Sequence, residues 1–315
     1  MPFRQTKLLA LLVPLVLLLT LPAGADARKK TRVAVGIGDQ SAAMFAQPAF
    51  KQLKVKRVRY FIRWDAIRHR SALAAADFYV AAARRAHKRV LLHISTNDLR
   101  KRKAKLPSTK RYKRDVGRLV RHFRKRGVRE FGTWNEANHY TQPTYRNAKR
   151  AALFYRVMRG VCHRCTIVAL DVLDQRGVAG YIKRWYRALP RSYRHKRLII
   201  GIHNYSDTNR FRSRGTKSII RTVRKQNSRA RFWMTETGGV VNFGRSFPCN
   251  ERRAARAVSY MFKLAKRYDR YVERLYAYNW TGAGCNGFDA GLVRHDGSTR
   301  PAYRTFKARA RSFTR

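Results

Sequence analysis

Short runs of apolar and β-branched residues alternate along the chain with longer stretches that repeat apolar positions every three or four residues. The short runs predict strands, and the longer stretches predict amphipathic helices. The predicted strands are residues 32–38, 55–64, 89–96, 130–135, 166–171, 197–204, 231–236 and 274–280. The predicted helices are residues 73–87, 110–126, 148–160, 178–189, 218–226 and 251–268.

Strands that alternate with helices predict a parallel sheet of the α/β class. Eight strands with helices between them are typical of a closed (β/α)8 barrel, which we expect as a single domain over residues 28–315. An open doubly wound sheet is the alternative. That fold usually carries a glycine-rich phosphate turn after its first strand, and Gly36-Ile37-Gly38 does not continue into such a motif.

The first 27 residues predict a secretory signal peptide. Arg4 and Lys7 precede an apolar run over residues 8–21, and Ala25-Asp26-Ala27 places small residues around a cleavage point. The apolar run is shorter than the ~20 residues of a membrane-spanning helix, although an uncleaved anchor is an alternative. We therefore expect a secreted, extracellular protein that lacks a transmembrane segment after cleavage.

Four cysteines allow three pairings, and disulfides form in secreted proteins. The Cys162-x-x-Cys165 motif could also be a redox pair or half of a zinc site. A zinc site requires four suitably spaced ligands, whereas Cys249 and Cys285 are distant single cysteines. We predict the bridges Cys162–Cys165 and Cys249–Cys285, and neither a metal nor another cofactor.

The chain carries 72 Lys+Arg against 17 Asp+Glu, a formal net charge of +55. Such an excess favours a polyanion such as nucleic acid when the basic residues cluster. Here they are spread through almost every segment, so we expect no specific nucleic-acid partner. The excess of positive charge also makes an anionic polysaccharide a candidate partner. A hydrophobic content of 44% excludes wholesale disorder.

Glutamate is scarce, with five residues in the chain, and two of them end predicted strands. Glu136 ends the fourth strand and Glu236 the seventh, so in a barrel they face each other across the mouth. Glycosidic bond hydrolysis uses two opposed carboxyl groups, one to protonate the leaving oxygen and one to attack the sugar or activate water. The alternative is that both glutamates form salt bridges with the many arginines. Aromatic rings near strand ends could stack on sugars: Trp64, Trp134, Tyr205 and Trp280.

Several motifs resemble the retaining glycoside hydrolases of clan A. Trp134-Asn135-Glu136 is similar to that clan's fourth-strand Asn-Glu signature, and residues 233–236 resemble its seventh-strand nucleophile segment. Further segments are similar to its second, sixth and eighth strands and its closing turn into the last helix: residues 58–64, His203-Asn204-Tyr205, Trp280 and residues 291–303. The chain resembles enzymes of families 5 and 39, including enzymes of bacterial polysaccharide gene clusters.

This resemblance implies roles for six residues. Glu136 would be the general acid/base, with few cationic neighbours, and Glu236 the nucleophile, with a carboxyl separation of roughly 5–5.5 Å. The other four would support them: Asn135 binding the sugar 2-hydroxyl, Tyr205 bonding the nucleophile, Arg59 neutralising and orienting it, and His203 contacting the acid/base or the sugar. The implied protein is a monomeric retaining β-glycosidase that hydrolyses a poly- or oligosaccharide by double displacement.

Other polar residues have two interpretations each. Family 5 enzymes often end the third strand with a histidine, whereas here Ser95 takes that position and His93 lies two residues earlier. His93 would be a hydrogen-bonded interior residue or a substrate ligand. Asp39 and Asp171 would bind substrate or cap loops, and His139 could line the site. For the whole protein, the alternatives are a non-catalytic carbohydrate-binding barrel and a basic polyanion-binding protein.

Overall fold

The computed structural model describes Met1, residues 31–98 and residues 105–314. Apart from Met1, the predicted signal peptide lies outside the described residues. Residues 99–104, at the start of the most basic stretch, also lie outside them. Among the described helices, none combines the length and apolar character needed to cross a membrane.

Eight parallel strands pair in sequence order and close into a barrel, because the last strand also pairs with the first. The strands are β1 (Thr31–Gly38), β2 (Arg57–Arg63), β3 (Arg89–Ser95), β4 (Glu130–Gly132), β5 (Thr166–Leu173), β6 (Ile199–His203), β7 (Arg231–Thr237) and β8 (Val272–Tyr278). The predicted (β/α)8 barrel is confirmed. The strand β4 is shorter than the predicted 130–135.

Helices surround this sheet and occupy the segments between strands. In the described part of the chain they are α1 (Pro48–Gln52), α2 (Arg70–Arg85), α3 (Thr109–Lys125), α4 (Ala148–Val161), α5 (Val178–Arg187), α6 (Tyr205–Asn209), α7 (Arg214–Gln226), α8 (Glu251–Arg267) and α9 (Pro301–Arg309). The six predicted helices are present with slightly shifted ends. The helices α1 and α6 were not predicted, because five residues are too few to show a helical repeat. The helix α9 is the last helix that the clan A resemblance implied.

Apolar side chains form two separate cores. The larger one lies between the strands and the helices, and α3 contributes its predicted stripe, with Val116, Leu119, Val120 and Phe123 all buried. The smaller one fills the lower half of the barrel interior. Its members come from five strands: Leu91, Val168, Ile199, Trp233 and Tyr276.

The interior core lies directly below the polar residues of the barrel mouth. Side chains two residues apart on a strand point the same way, so Leu91 lies in the apolar floor and His93 in the layer above it. In β7, Trp233 and Thr235 follow the same alternation. This packed floor gives the polar mouth a rigid base.

Two disulfides join the cysteines in the predicted pairs. Cys162–Cys165 spans 5.4 Å between Cα atoms at the turn that precedes β5. Cys249–Cys285 spans 5.6 Å and connects the loop after β7 to the loop after β8. The same two loops also pair through a small antiparallel ribbon, formed by Asn242–Phe243 and Phe288–Asp289. The loops after β7 and β8 are therefore held together twice.

Candidate active site

Glu136 and Glu236 meet at the carboxyl-terminal mouth of the barrel. One carboxylate oxygen of each and one ring nitrogen of His203 all lie within 4.8 Å of one another. The Glu236 side chain projects from β7, while Glu136 follows the end of β4. The predicted opposition of the two glutamates across the mouth is therefore observed.

The Glu236 carboxylate accepts two hydrogen bonds from opposite sides. Arg59 Nη1 donates to Oε2 at 2.6 Å, and the Tyr205 hydroxyl donates to Oε1 at 3.0 Å. Burial and the nearby Glu236 charge raise the pKa of Tyr205 well above its ordinary value, so this phenol stays protonated. A charge-assisted bond and a phenol bond together fix the orientation of the carboxylate.

Arg59 connects four strands from the barrel interior. Its guanidinium is 1% exposed, and besides Glu236 it donates through Nη2 to Asn135 Oδ1 and through Nε to His93 Nδ1 at 3.3 Å. A buried arginine is tolerated when its donors are satisfied and its charge is paired. The predicted role of orienting Glu236 agrees with these contacts.

The backbone at Glu136 turns sharply. Its φ is +45°, in the left-handed region that non-glycine residues seldom occupy. The turn is held by the neighbouring strand, since Glu136 N donates to Asp171 Oδ1 at 3.0 Å and Ala137 N donates to the Asp171 carbonyl at 2.9 Å. Such costly backbone geometry is characteristic of functional positions.

His203 lies between two carboxylates. Its Nδ1 is 3.0 Å from Glu136 Oε1, and its Nε2 is 2.9 Å from Asp171 Oδ1. Burial favours the neutral ring, but the Asp171 and Glu236 carboxylates raise the pKa of His203 to about 10. His203 is therefore an imidazolium at neutral pH, with a proton on each nitrogen.

The imidazolium corrects one expectation about Glu136. Burial favours the protonated acid, but the hydrogen bond and charge of His203 hold the pKa of Glu136 below its ordinary value. His139 lies on the other side, with Nδ1 3.7 Å from Glu136 Oε2. The prediction that the acid/base would have few cationic neighbours is wrong, because β6 places a protonated histidine against it.

Asp171 and His93 are interior residues below the two glutamates. Burial alone would raise the pKa of Asp171, but the His203 charge lowers it well below its ordinary value, so Asp171 is ionised. Thr235 Oγ1 also donates to Asp171 Oδ2. His93 is fully buried, and burial lowers its pKa to about 3. The interior interpretation of His93 therefore holds, and Asp171 acts as a partner of His203.

Two glycines make room for these side chains. A Cβ on Gly201 would lie 2.0 Å from Asp171 Oδ2, and a Cβ on Gly132 would lie 2.1 Å from the His93 ring. Neither distance is sterically allowed. The carboxylate and the imidazole thus fill volumes that any larger residue at these two positions would occupy.

Asp39 follows β1 and caps the loops around it. Its carboxylate accepts hydrogen bonds from the backbone N–H groups of Ser41 at 2.7 Å and of Trp280 and Thr281 at 2.9 Å each. Burial raises the pKa of Asp39 above its ordinary value. These three backbone donors account for the carboxylate, which agrees with the capping interpretation.

The three tryptophans proposed as sugar platforms point away from the mouth. Trp64, Trp134 and Trp280 are all buried. Trp280 is fully buried, with ring centroids 5.3 Å from Phe50 and 6.0 Å from Tyr303, in the outer core. These tryptophans follow or flank strand ends, where the inward–outward alternation of a strand no longer determines side-chain direction. The expectation that they stack on sugars is therefore wrong for this conformation.

Other aromatic rings occupy the mouth instead. Tyr205 contacts Glu236, and its ring lies 5.2 Å from Phe288, edge to face. Tyr278 ends β8, and its ring lies 6.5 Å from Phe288. Tyr278, Phe243 and Phe288 were missed from the sequence, because the last two lie in loops whose paths only the folded barrel defines. The sequence did contain one signal for the two phenylalanines. Their loops follow β7, which carries Glu236, and the neighbouring strand β8.

The remaining three glutamates form ion pairs with arginines. The pairs are Glu130 with Arg274, Glu251 with Arg294 and Arg300, and Glu273 with Arg197. Only in Glu136 and Glu236, among the five glutamates, does the carboxylate face a second carboxylate across the barrel mouth.

The atoms of Glu136, Glu236 and His203 are spaced closely enough to hold a metal ion. Metal binding requires a deprotonated histidine nitrogen. The raised pKa of His203 and its ion pair with Asp171 oppose that state. The ion pairs of this group favour proton chemistry over metal ligation.

The chain shares its fold with solved glycoside hydrolases. It is similar to a chain from the structures of two fungal β-1,4-galactanases (12% identity, covering 87% of this chain and 98% of that chain, TM-score 0.65). It is also similar to a xylanase from Paenibacillus barcinonensis (10% identity, 90% and 98% coverage, TM-score 0.62) and to a β-glucosidase (15%, 87% and 87%, TM-score 0.58). No protein-family model matches the sequence, and no curated protein matches it. At these identities the likeness establishes the shared barrel fold.

Proposed function

We propose that the protein is a retaining β-glycosidase, with Glu236 as the nucleophile and Glu136 as the general acid/base. The observation that carries this proposal is that one carboxylate oxygen of Glu136 and one of Glu236 lie within 4.8 Å of each other across the barrel mouth. Retaining enzymes separate these groups by about 5–5.5 Å, whereas inverting enzymes leave about 6.5–9.5 Å for a water molecule.

In the first step, a Glu236 oxygen attacks the anomeric carbon as the bond to the leaving oxygen breaks. The leaving oxygen takes the proton of Glu136, which becomes a carboxylate. A glycosyl ester forms on Glu236. Arg59 and Tyr205 support the ionised Glu236 before attack. They also hold one of its oxygens toward the reacting carbon.

In the second step, Glu136 takes a proton from water, the water oxygen attacks the anomeric carbon, and the ester to Glu236 breaks. The His203 imidazolium stabilises the Glu136 carboxylate in this step. Asn135 would contact the sugar 2-hydroxyl. Because its Oδ1 accepts from Arg59, its amide NH2 group is the part directed to a ligand.

We further propose a carbohydrate substrate and a secreted enzyme. The neighbours of similar fold are named as xylanase, galactanase and β-glucosidase, which supports a poly- or oligosaccharide substrate. The charged and apolar pattern of residues 1–27 and the two disulfides support secretion, followed by a mature domain over residues 28–315.

The proposal is tested with a 2-deoxy-2-fluoro-β-glycoside that forms but slowly releases the ester. Intact and peptide mass spectrometry should locate the adduct on Glu236, and ¹H NMR of an ordinary substrate should show the β-anomer as the first product. An α-anomer formed first would refute the retaining mechanism. Binding of polysaccharide without any hydrolysis would instead support the non-catalytic barrel.

A further inference from the structure

Two phenylalanines are exposed on the rim beside Glu236. Phe243 is 53% exposed and Phe288 is 37% exposed. They are paired residues on the small antiparallel ribbon, and their ring centroids lie 5.7 Å apart, edge to face. Neighbouring exposed apolar rings lose the free energy of burial, so such a cluster is a candidate binding surface.

These rings continue inward to the proposed nucleophile. Phe288 lies 5.2 Å from the Tyr205 ring and 6.5 Å from the Tyr278 ring, almost parallel to the latter at 25°. The Tyr205 hydroxyl donates to Glu236. A path of aromatic rings therefore leads from Glu236 through Phe288 to Phe243 and solvent.

The ribbon that carries the phenylalanines is braced. Beyond the Cys249–Cys285 disulfide, Asn242 Nδ2 donates to the Gly287 carbonyl at 2.8 Å, and Val241 N donates to the Asp289 carbonyl at 2.6 Å. The buried Asp289 carboxylate accepts two hydrogen bonds from Arg300, at 2.7 and 2.8 Å. The rings are thus held in place on a rigid support, as preorganised binding requires.

A third phenylalanine, in the loop that carries Phe243, shows a different arrangement. Phe247 lies under two guanidinium groups, with Arg210 Cζ 4.8 Å and Arg253 Cζ 5.4 Å from its ring centroid. Its ring is used within the protein by cation–π contacts. The exposed rings of Phe243 and Phe288 are the ones left for an external partner.

We propose that Phe243 and Phe288 form a distal carbohydrate subsite, which stacks on the apolar face of a sugar unit of the same chain that is cleaved between Glu136 and Glu236. This inference rests on the proposed function. A pyranose has an apolar C–H face and a hydroxyl rim, so it can cover an aromatic ring while the hydroxyl groups stay in water. Continuity of the rings with Glu236 favours a further unit of the substrate over an unrelated ligand.

The test is isothermal titration of a Glu236→Gln parent, which prevents turnover. The probes are β-1,4-linked hexasaccharides of xylose, glucose, mannose and galactose, and an oligogalacturonate. Titrations are made in about 1 M NaCl, where the Debye length of about 3 Å screens non-specific attraction. Phe288→Leu and Phe243→Leu should each weaken the best probe about tenfold, the loss expected for an aromatic contact.

Phe288→Tyr keeps the ring and should bind within about twofold of the parent. Phe78→Leu is the matched control, because Phe78 is 64% exposed on α2, in the outer helical layer. It should leave affinity unchanged. Equal melting temperatures of the variants show that folding is intact.

Unchanged affinity in both leucine variants, or a parent that binds none of the probes, overturns the subsite. Hydrolysis of the same probes by the chain with an intact Glu236 is measured separately. Binding that depends on Phe288 without any hydrolysis refutes the proposed function and keeps the subsite. Hydrolysis of the probes together with unchanged affinity in both leucine variants keeps the proposed function and refutes the subsite.

Discussion

His203 Nε2 lies 2.9 Å from Asp171 Oδ1 in the fully buried layer beneath the two glutamates. This contact joins β6 to β5 and leaves the other ring nitrogen against Glu136. Asp171 is therefore a positioning residue that acts on Glu136 in two ways. It sets the charge of the His203 ring, and its Oδ1 accepts a hydrogen bond from Glu136 N.

Asp171→Asn should shift the pH profile of kcat/KM to lower pH. The Asp171 charge raises the pKa of Glu136, so the pKa of Glu136 falls when this charge is removed. His203 keeps its positive charge in the acidic range where Glu136 titrates, because its pKa starts from about 10. The limb on which protonated Glu136 is lost then moves downward. The rate at the optimum should fall about tenfold or more, because the ring is less well oriented. An unchanged limb with a uniformly lower rate would assign Asp171 a purely structural role.

The chain without substitutions should be most active at acidic pH. The free enzyme needs a protonated Glu136, and its pKa lies below the ordinary glutamate value. Protonated acid is lost as pH rises through this pKa, so kcat/KM should fall with rising pH. The measurement is kcat/KM on an aryl β-glycoside across the acidic and neutral range. A rise of kcat/KM toward neutral pH would contradict this assignment of the proton.

Substitution of either glutamate should lower kcat, by a different factor for each. Glu236→Gln removes the attacking oxyanion, and we expect a loss of about 10⁴-fold or more in kcat. Glu136→Gln removes proton transfer, and we expect a loss of about 10²–10⁴-fold. Substrates with acidic leaving groups need less protonation, so they should suffer least from Glu136→Gln. Glu273→Gln, in the pair with Arg197, is the matched control and should retain activity.

Folding stability should fall between pH 8 and pH 10. The folded pKa of His203 is about 10, against about 6.5 in an unfolded chain. Its stabilising contribution is complete below about pH 6.5 and is lost as pH rises through the folded value. Burial raises the folded pKa of Asp174 to about 8. Ionisation of Asp174 therefore lowers the folding stability mainly below pH 8. Urea midpoints at pH 8 and 10 should therefore differ less in His203→Gln than in the parent.

The two disulfides should contribute unequally to stability. Cys249–Cys285 closes a loop of sequence separation 36, and Cys162–Cys165 one of separation 3. Loop-closure entropy predicts a loss of about 4 kcal/mol for the double serine variant of the first pair and about 2 kcal/mol for the second. Equal losses in urea unfolding would show that local native contacts, not chain entropy, determine the effect.

The barrel could be predicted from the sequence because its signals are periodic and repeated eight times. Glu236 and Arg59 could be placed because they lie within strands, where direction alternates regularly. Glu136 lies beyond the end of β4, and it was the Asn135-Glu136 motif that marked it. The tryptophans could not, since Trp280 lies past a strand end and turns into the outer core. The charge of His203 also could not be predicted from the sequence, because it depends on the buried Asp171 carboxylate of another strand.

Gly201 and Gly132 impose a steric requirement on the site, because neither position has room for a side chain. A single methyl group at either position would displace Asp171 or the His93 ring, and through them His203 and Arg59. Attempts to stabilise this barrel by filling its strands with β-branched residues would therefore inactivate it first at these two positions. In any redesign of the interior, the space beside each glycine must be conserved as strictly as the carboxylates themselves.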